Sequence, residues 1–241
     1  MKAGSFILNE VYSDDIDTVI QSRPVLEAPK RRVTFKKSFG KSGDIPYDEE
    51  SYDNTTLQLS LSTDGRDAVH SRERIFELFD SGDYMNLRMY CDDTKYYRVL
   101  VTDPPKFESR YYMGEGMSYD VTMTVKPYKI LVNSRQLTLT KEEQINNPTN
   151  KASLPIVTIY GTGDITLLVE GRPFVMKNVV EHITLDSELM FAYKTTGGVI
   201  LNENSKTFTR TFPFFSPGLN SVKWVGNVIK IDILPQWRTL V

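Results

Sequence analysis

The sequence has little of what metal and nucleophilic sites are built from. Of 241 residues, one is cysteine and two are histidine. A lone cysteine, Cys91, cannot close an intrachain disulfide, so oxidative stapling is excluded. It ends the alternating run Tyr84–Cys91 and reads as a packed thiol, since free cysteine behaves as a small hydrophobe. Nothing in the sequence positions a base beside it for nucleophilic chemistry. His70 and His182 fall in different expected domains. Neither has a second histidine three to five residues on, and zinc needs convergent nitrogen or sulfur ligands. No metal and no cofactor is expected.

Charge excess is also missing. Lysine and arginine total 29 against 31 acidic residues, a formal net charge of -2. That balance gives no electrostatic reason to hold nucleic acid, whose phosphates demand a basic surface, and it disfavours acidic membranes equally. No stretch approaches the roughly 18 apolar residues of a membrane helix. The opening Met1-Lys2-Ala3-Gly4-Ser5-Phe6 has no apolar core of the secretory kind, so cytosolic synthesis is expected. Phosphate cradles are absent too: Gly161-Thr162-Gly163 is followed by a strand pattern, with no helix N-terminus to meet an anion. Acidic pairs that could act as acid and base reduce to Asp186 with Glu188, and Asp48, Glu49 and Glu50; both groups read as solvated charge. The chain is expected not to be an enzyme.

What is present is strand. Arg32–Phe39 and Thr55–Ser62 alternate with period two, the mark of half-buried strands. The charged, turn-rich segment 40–50 between them reads as the protruding loop of a long hairpin. Residues 67–80 change period: Val69, Ile75, Phe76, Leu78 and Phe79 mark an amphipathic helix. Asp64 or Ser71 is its candidate cap, and Gly82 its left-handed terminus. Strands follow at Tyr84–Tyr90, Tyr96–Val101 and Met117–Val125, with Pro104-Pro105 expected to stop the ladder because proline donates no hydrogen bond. Gly197-Gly198 reads as a hairpin tip. Asn220–Val225, Gly226-Asn227 and Val228–Leu234 read as a hairpin with a two-residue turn. The expected fold is mainly β: an N-terminal α+β domain with antiparallel sheet, long hairpin and one helix over residues 1–130, a linker over 131–152, and a β-sandwich over 153–241.

One charge pattern stands out. Residues 23–37 hold Arg23, Lys30, Arg31, Arg32, Lys36 and Lys37 against Glu27 alone, and residues 44–53 hold Asp44, Asp48, Glu49, Glu50 and Asp53 with no base. These stretches either balance within one hairpin or meet between neighbouring subunits, where charge sets register. Arg31, Arg32, Lys36, Lys37, Asp48, Glu49 and Glu50 are the candidate subunit-interface residues. Of the aromatics, Trp224, Trp237, Tyr193 and Phe212–Phe215 suit a sandwich core better than a sugar platform. Trp224 reads as buried, and Trp237 is the candidate carbohydrate contact.

The C-terminal third resembles siphophage distal tail proteins. The resemblance rests on Asn147-Pro148-Thr149, the stretch 155–164 (Pro155 to Asp164), Ile183-Thr184-Leu185-Asp186-Ser187-Glu188 with Tyr193, the stretch from Phe212-Pro213 to Gly226, the ending 231–240, and Lys126-Pro127-Tyr128-Lys129 before the second domain. The ordered set spans about 95 residues. The family's N-terminal turn is kept in position but not in letters, at Phe39-Gly40-Lys41-Ser42-Gly43-Asp44. The resemblance implies a virion protein assembled in the host cytoplasm. It implies a hexameric ring formed by the N-terminal domain at the tail tip. That ring joins the tail tube protein to the tail-tip or tail-associated lysin protein and holds receptor-binding or baseplate components. It also implies a galectin-like sandwich similar to carbohydrate-binding modules. The alternative reading is a module that binds host cell-wall polysaccharide.

Overall fold

The computed structural model describes residues 1–40, 42–63, 68–108 and 117–241. These form two compact units, Met1–Lys129 with Leu240–Val241, and Ile130–Thr239.

The first unit opens with β1 (Phe6–Leu8), β2 (Val11–Tyr12), a 3-10 turn over Ser13–Ile16, and β3 (Thr18–Ile20). Next come β4 (Arg31–Lys36), β5 (Ile45–Tyr52), β6 (Thr55–Thr63), α1 (Ala68–Phe79), β7 (Met85–Met89), β8 (Asp92–Glu108) and β9 (Met117–Leu131). The main sheet runs β2-β1-β7-β8-β9-β6-β3. Alternation in β6 places Leu57, Leu59 and Leu61 inward at no more than 1% exposure, beside Val121 and Met123 of β9. Ile75 and Phe79 of α1 are buried in the same core, as the helical period requires. Asp64 lies outside the described residues, as do the side chains of His70 and Ser71.

Three expectations fail in this unit. Arg32–Phe39 and Thr55–Ser62 do not pair. β4 pairs instead with β5, formed by the acidic segment expected as a loop, while β6 joins β9 and β3. β4 alternates in sequence yet is exposed along its whole length rather than half-buried, and in β5 the charges of Asp48, Glu49 and Glu50 mask the short alternation of Ile45 and Tyr47. Pro104 and Pro105 lie inside β8. The β7 register reaches only Val99, so the one proline of the pair that faces that edge has no β7 neighbour to miss its donor. Gly82 is not left-handed. Tyr90 and Cys91 form the tight link from β7 to β8, and Cys91 packs against the core.

The second unit comprises β10 (Leu137–Leu139), β11 (Glu143–Asn147), β12 (Ile156–Val169), β13 (Arg172–Val179), β14 (His182–Asp186), β15 (Phe191–Thr196), β16 (Val199–Asn202) and β17 (Gly218–Leu234). It is a β-sandwich built around β12 and β17. The first halves of β12 and the last of β17 pair over Ile156–Tyr160 with Lys230–Leu234, flanked by β14 and β10. Their other halves pair over Thr166–Val169 with Val222–Val225, flanked by β13 and β11. Both strands turn a corner between these blocks, where the register shifts. Val157, Ile159, Leu167, Ile231 and Ile233 from both blocks share one core.

The corner corrects the expected hairpin. Gly226-Asn227 is no chain reversal; it is the bend within the single strand β17, facing Gly161 and Thr162 of β12. Gly226 has φ +118, and a Cβ on it would lie 2.5 Å from the Asp164 carbonyl oxygen. On Gly161 a Cβ would lie 2.3 Å from the Asn227 carbonyl oxygen. Only glycine permits two backbones to pass so close. The expected linker over 131–152 is also corrected, since β10 and β11 lie in it and pair with β17. The reversal at Gly197-Gly198 holds, with both residues at positive φ between Thr196 and Val199, as a two-residue hairpin turn demands. The last strand, β18 (Arg238–Leu240), pairs with β9. The Val241 amide donates to the Pro127 carbonyl at 3.0 Å.

Candidate functional site

The β4–β5 ribbon gathers the interface residues predicted from charge, all but Lys37. Its register sets Val33 opposite Asp48, Thr34 opposite Tyr47, Phe35 opposite Pro46 and Lys36 opposite Ile45. The charges meet within the chain. The Arg31 guanidinium makes a forked bond to both carboxylate oxygens of Asp48 and donates to the Tyr52 hydroxyl at 2.9 Å. Arg32 donates to Asp53 at 2.5 Å. The Thr34 hydroxyl donates to Glu49 at 2.6 Å, and Lys36 sits 4.9 Å over the Tyr47 ring. Asp48 also accepts from the Glu50 amide at 3.0 Å, with Glu50 in the left-handed region at φ +54. Lys37 is exposed beyond the end of β4.

These pairs move the titrations. The hydrogen bond from Arg31, then that from the Glu50 amide, holds Asp48 below the ordinary carboxylate range. The hydrogen bond to Asp48 raises Arg31 above its already high value. What the pairing leaves open is apolar. Val33, Phe35, Ile45 and Tyr47 are exposed, and Phe39 at the tip is fully so. The sequence reading missed these because the charges around them dominated the segment.

A second polar cluster in the first unit centres on Asp92. Its carboxylate accepts from Lys129 at 2.9 Å and from the Tyr97 hydroxyl at 3.1 Å, with Lys95 at 3.4 Å. Burial opposes the charged Asp92. The hydrogen bond and charge of Lys129, the charge of Lys95 and the Tyr97 hydroxyl outweigh it, and the group titrates below its ordinary range. Burial first, then the Asp92 charge, pushes the Tyr97 phenol up.

In the second unit the tryptophans exchange roles. Trp237, the candidate sugar contact, is 8% exposed and belongs to the core, its ring 5.8 Å from Phe215. Trp224 is only partly buried against that core. Trp237 does line a cavity of about 400 Å³, with Thr138, Glu143, Gln144 and Asn146 around it. Asp186 spends one carboxylate oxygen on the amides of Glu188 and Leu189, at 3.0 and 2.9 Å, which is turn capping. His182 is a β14 residue beside Tyr160, with ring centroids 5.7 Å apart. Among the described residues no group of three or more His, Cys, Asp or Glu is placed to hold a metal ion, and no helix is long and apolar enough to cross a membrane.

Comparison of the coordinates with solved structures decides what this architecture is. The SPP1 Dit protein (gp 19.1), a paradigm of the hub adsorption apparatus in phages infecting Gram-positive bacteria, matches with a TM-score of 0.70 at 9% identity, over 99% of this chain and 100% of that one. The chain has the fold of a phage hub protein. A structure of the phage p2 baseplate in its activated conformation with strontium matches at 0.60 and 12% identity, covering 95% of this chain and 96% of that one. A phage P2 baseplate structure with calcium matches at 0.53 and 12%, covering 88% and 90%. No protein-family model matches the chain, and neither does any curated protein. Similarity over nearly the whole length means that both units, and their order, belong to the shared fold.

Proposed function

We propose that this chain is a siphophage distal tail protein, a structural hub at the tail tip with no catalytic role. The observation that supports it most is the hub-protein fold over 99% of the chain, joined to the resemblance in the last 95 or so residues. In this reading the first unit closes a homo-hexameric ring. The ring connects the tail tube protein to the tail-tip or tail-associated lysin protein, and the second unit, of galectin-like type, faces receptor-binding or baseplate components. Assembly takes place in the host cytoplasm.

The β4–β5 ribbon is the proposed subunit contact. A lone two-stranded ribbon is marginal in water, and Val33, Phe35, Ile45 and Tyr47 need cover. Arg31, Arg32 and Asp48 fix the ribbon from within, while Lys36, Lys37, Glu49 and Glu50 rim the apolar faces and set register. A head-to-tail ring needs two different patches on each subunit, and an arm reaching a neighbour supplies one. Negative-stain imaging of the purified protein tests this reading: closed rings support it, and single particles at high concentration count against it.

A second reading, a carbohydrate contact, is favoured by the cavity beside Trp237 with its polar rim. Because Trp237 is core, the variants that test it are Gln144→Ala and Asn146→Ala, both at exposed positions. Titration with host wall polysaccharide should then show loss of binding. No binding by the unmodified protein removes this reading.

A further inference from the structure

Between α1 and the segment from Asn9 to Ile16, the first unit carries an open groove of about 490 Å³. Ile16, Leu78 and Met85 form its floor and Val11 one wall. Ile16 and Met85 are buried, whereas Val11 is 38% exposed. The rim is acidic. Glu77 and Asp80 line it and are exposed. Asp14, Asp15 and Asp17 stand exposed on either side of Ile16. Arg74, the base in the lining, donates through Nη2 to the Asp15 carbonyl. The groove is an apolar slot under a negative rim, with a volume in the range of binding sites.

The tip of the β4–β5 ribbon has the opposite character. Phe39 is fully exposed there, and aromatic side chains of this kind are favoured at interface cores. Arg31 and Arg32 spend their charge on Asp48 and Asp53. Lys36 and Lys37, close to Phe39 in the chain, are in no ion pair among the described residues. Residues 36–46 hold Lys36, Lys37 and Lys41 against Asp44, so the tip is basic.

A basic tip with an apolar end and an acidic slot with an apolar floor are two different patches on one chain. Their charges are complementary, which is what a head-to-tail contact between identical copies needs. A tip-to-tip pairing would set lysine against lysine. Phe39 stays exposed in its own chain, so the groove it fills belongs to another copy. We infer that this groove is the socket for the ribbon tip of a neighbouring copy, with Phe39 over Ile16, Leu78 and Met85 and with Lys36 and Lys37 facing Glu77 and Asp80. This rests on the hub reading, to which it adds the second patch that a ring requires.

The test uses the full chain, native mass spectrometry and two variants at exposed positions. One is Phe39→Asp in the tip; the other carries Glu77→Lys and Asp80→Lys in the groove. Thermal melts of both should match the unmodified protein. Each variant alone should lose the ring and run as a monomer. Mixed in equal amounts at high concentration, they should form a heterodimer, because the sound groove of the first accepts the sound tip of the second. The remaining tip and groove are both spoiled, so growth stops at two copies. Suppose the unmodified chain forms rings but the groove variant does so equally well, or the mixture stays monomeric. Either result removes the groove as the socket and leaves the hub reading standing. An unmodified chain that stays monomeric at high concentration overturns both.

Discussion

Two glycines and one aspartate show how single residues set this structure. Gly161 and Gly226 sit where β12 and β17 bend together, and each leaves space that a Cβ would fill with backbone. Gly226→Ala meets both a steric clash and a positive φ, and should cost roughly 3 kcal/mol. Gly163→Ala, at φ +82 but in open space, should cost about 1 kcal/mol. Urea unfolding of the two variants checks the ranking. The letters Gly-Asn were visible in the sequence; their role was not, because a two-residue turn and a corner in a continuous strand both ask for glycine between alternating runs. Asp92 gives a pH prediction. Its folded-state value is depressed, so its contribution is present above the ordinary carboxylate pKa and is lost as pH falls through the folded value. Asp92→Asn should be less stable than the unmodified protein at pH 7, by roughly 1 kcal/mol. The two stability curves should converge in acid.

At the scale of elements, the sequence was legible wherever a core imposed a period. β6, β7, β9 and α1 were readable because Leu57, Leu59, Leu61, Leu87, Val121 and Ile75 face one core. β5 was not, because both faces of the β4–β5 ribbon are exposed and no core selects its residues. The same contrast yields a mutational prediction. Arg31→Glu breaks a fully solvent-exposed pair, which contributes little to folding, so the folded chain should persist with the ribbon loosened. Restoring the pair by Asp48→Arg should re-form the ribbon within one chain. Phe35→Asp and Tyr47→Asp leave the cores of both units untouched, so melting temperature should hardly move while assembly weakens. Thermal melts alongside light scattering separate the two effects. If the Asp variants assemble normally, the apolar faces are not the contact.

For the whole molecule, the sequence showed the β-rich class, the α+β start and the strand-rich end, and its scattered motifs pointed to tail hubs. The boundary was less legible. Residues 131–152 are polar because β10 and β11 are short edge strands paired only to β17, and a polar edge looks like a linker in one dimension. The burial of Trp237 was illegible for a related reason, since a tryptophan near the chain end says nothing about Phe215 lying against it. The central claim is that this fold is a ring-forming structural hub, and native mass spectrometry of the purified full-length chain tests it most directly. A dominant species of six copies, falling toward monomer in Phe35→Asp, is the predicted result. A monomer that persists at high concentration and low salt would contradict it.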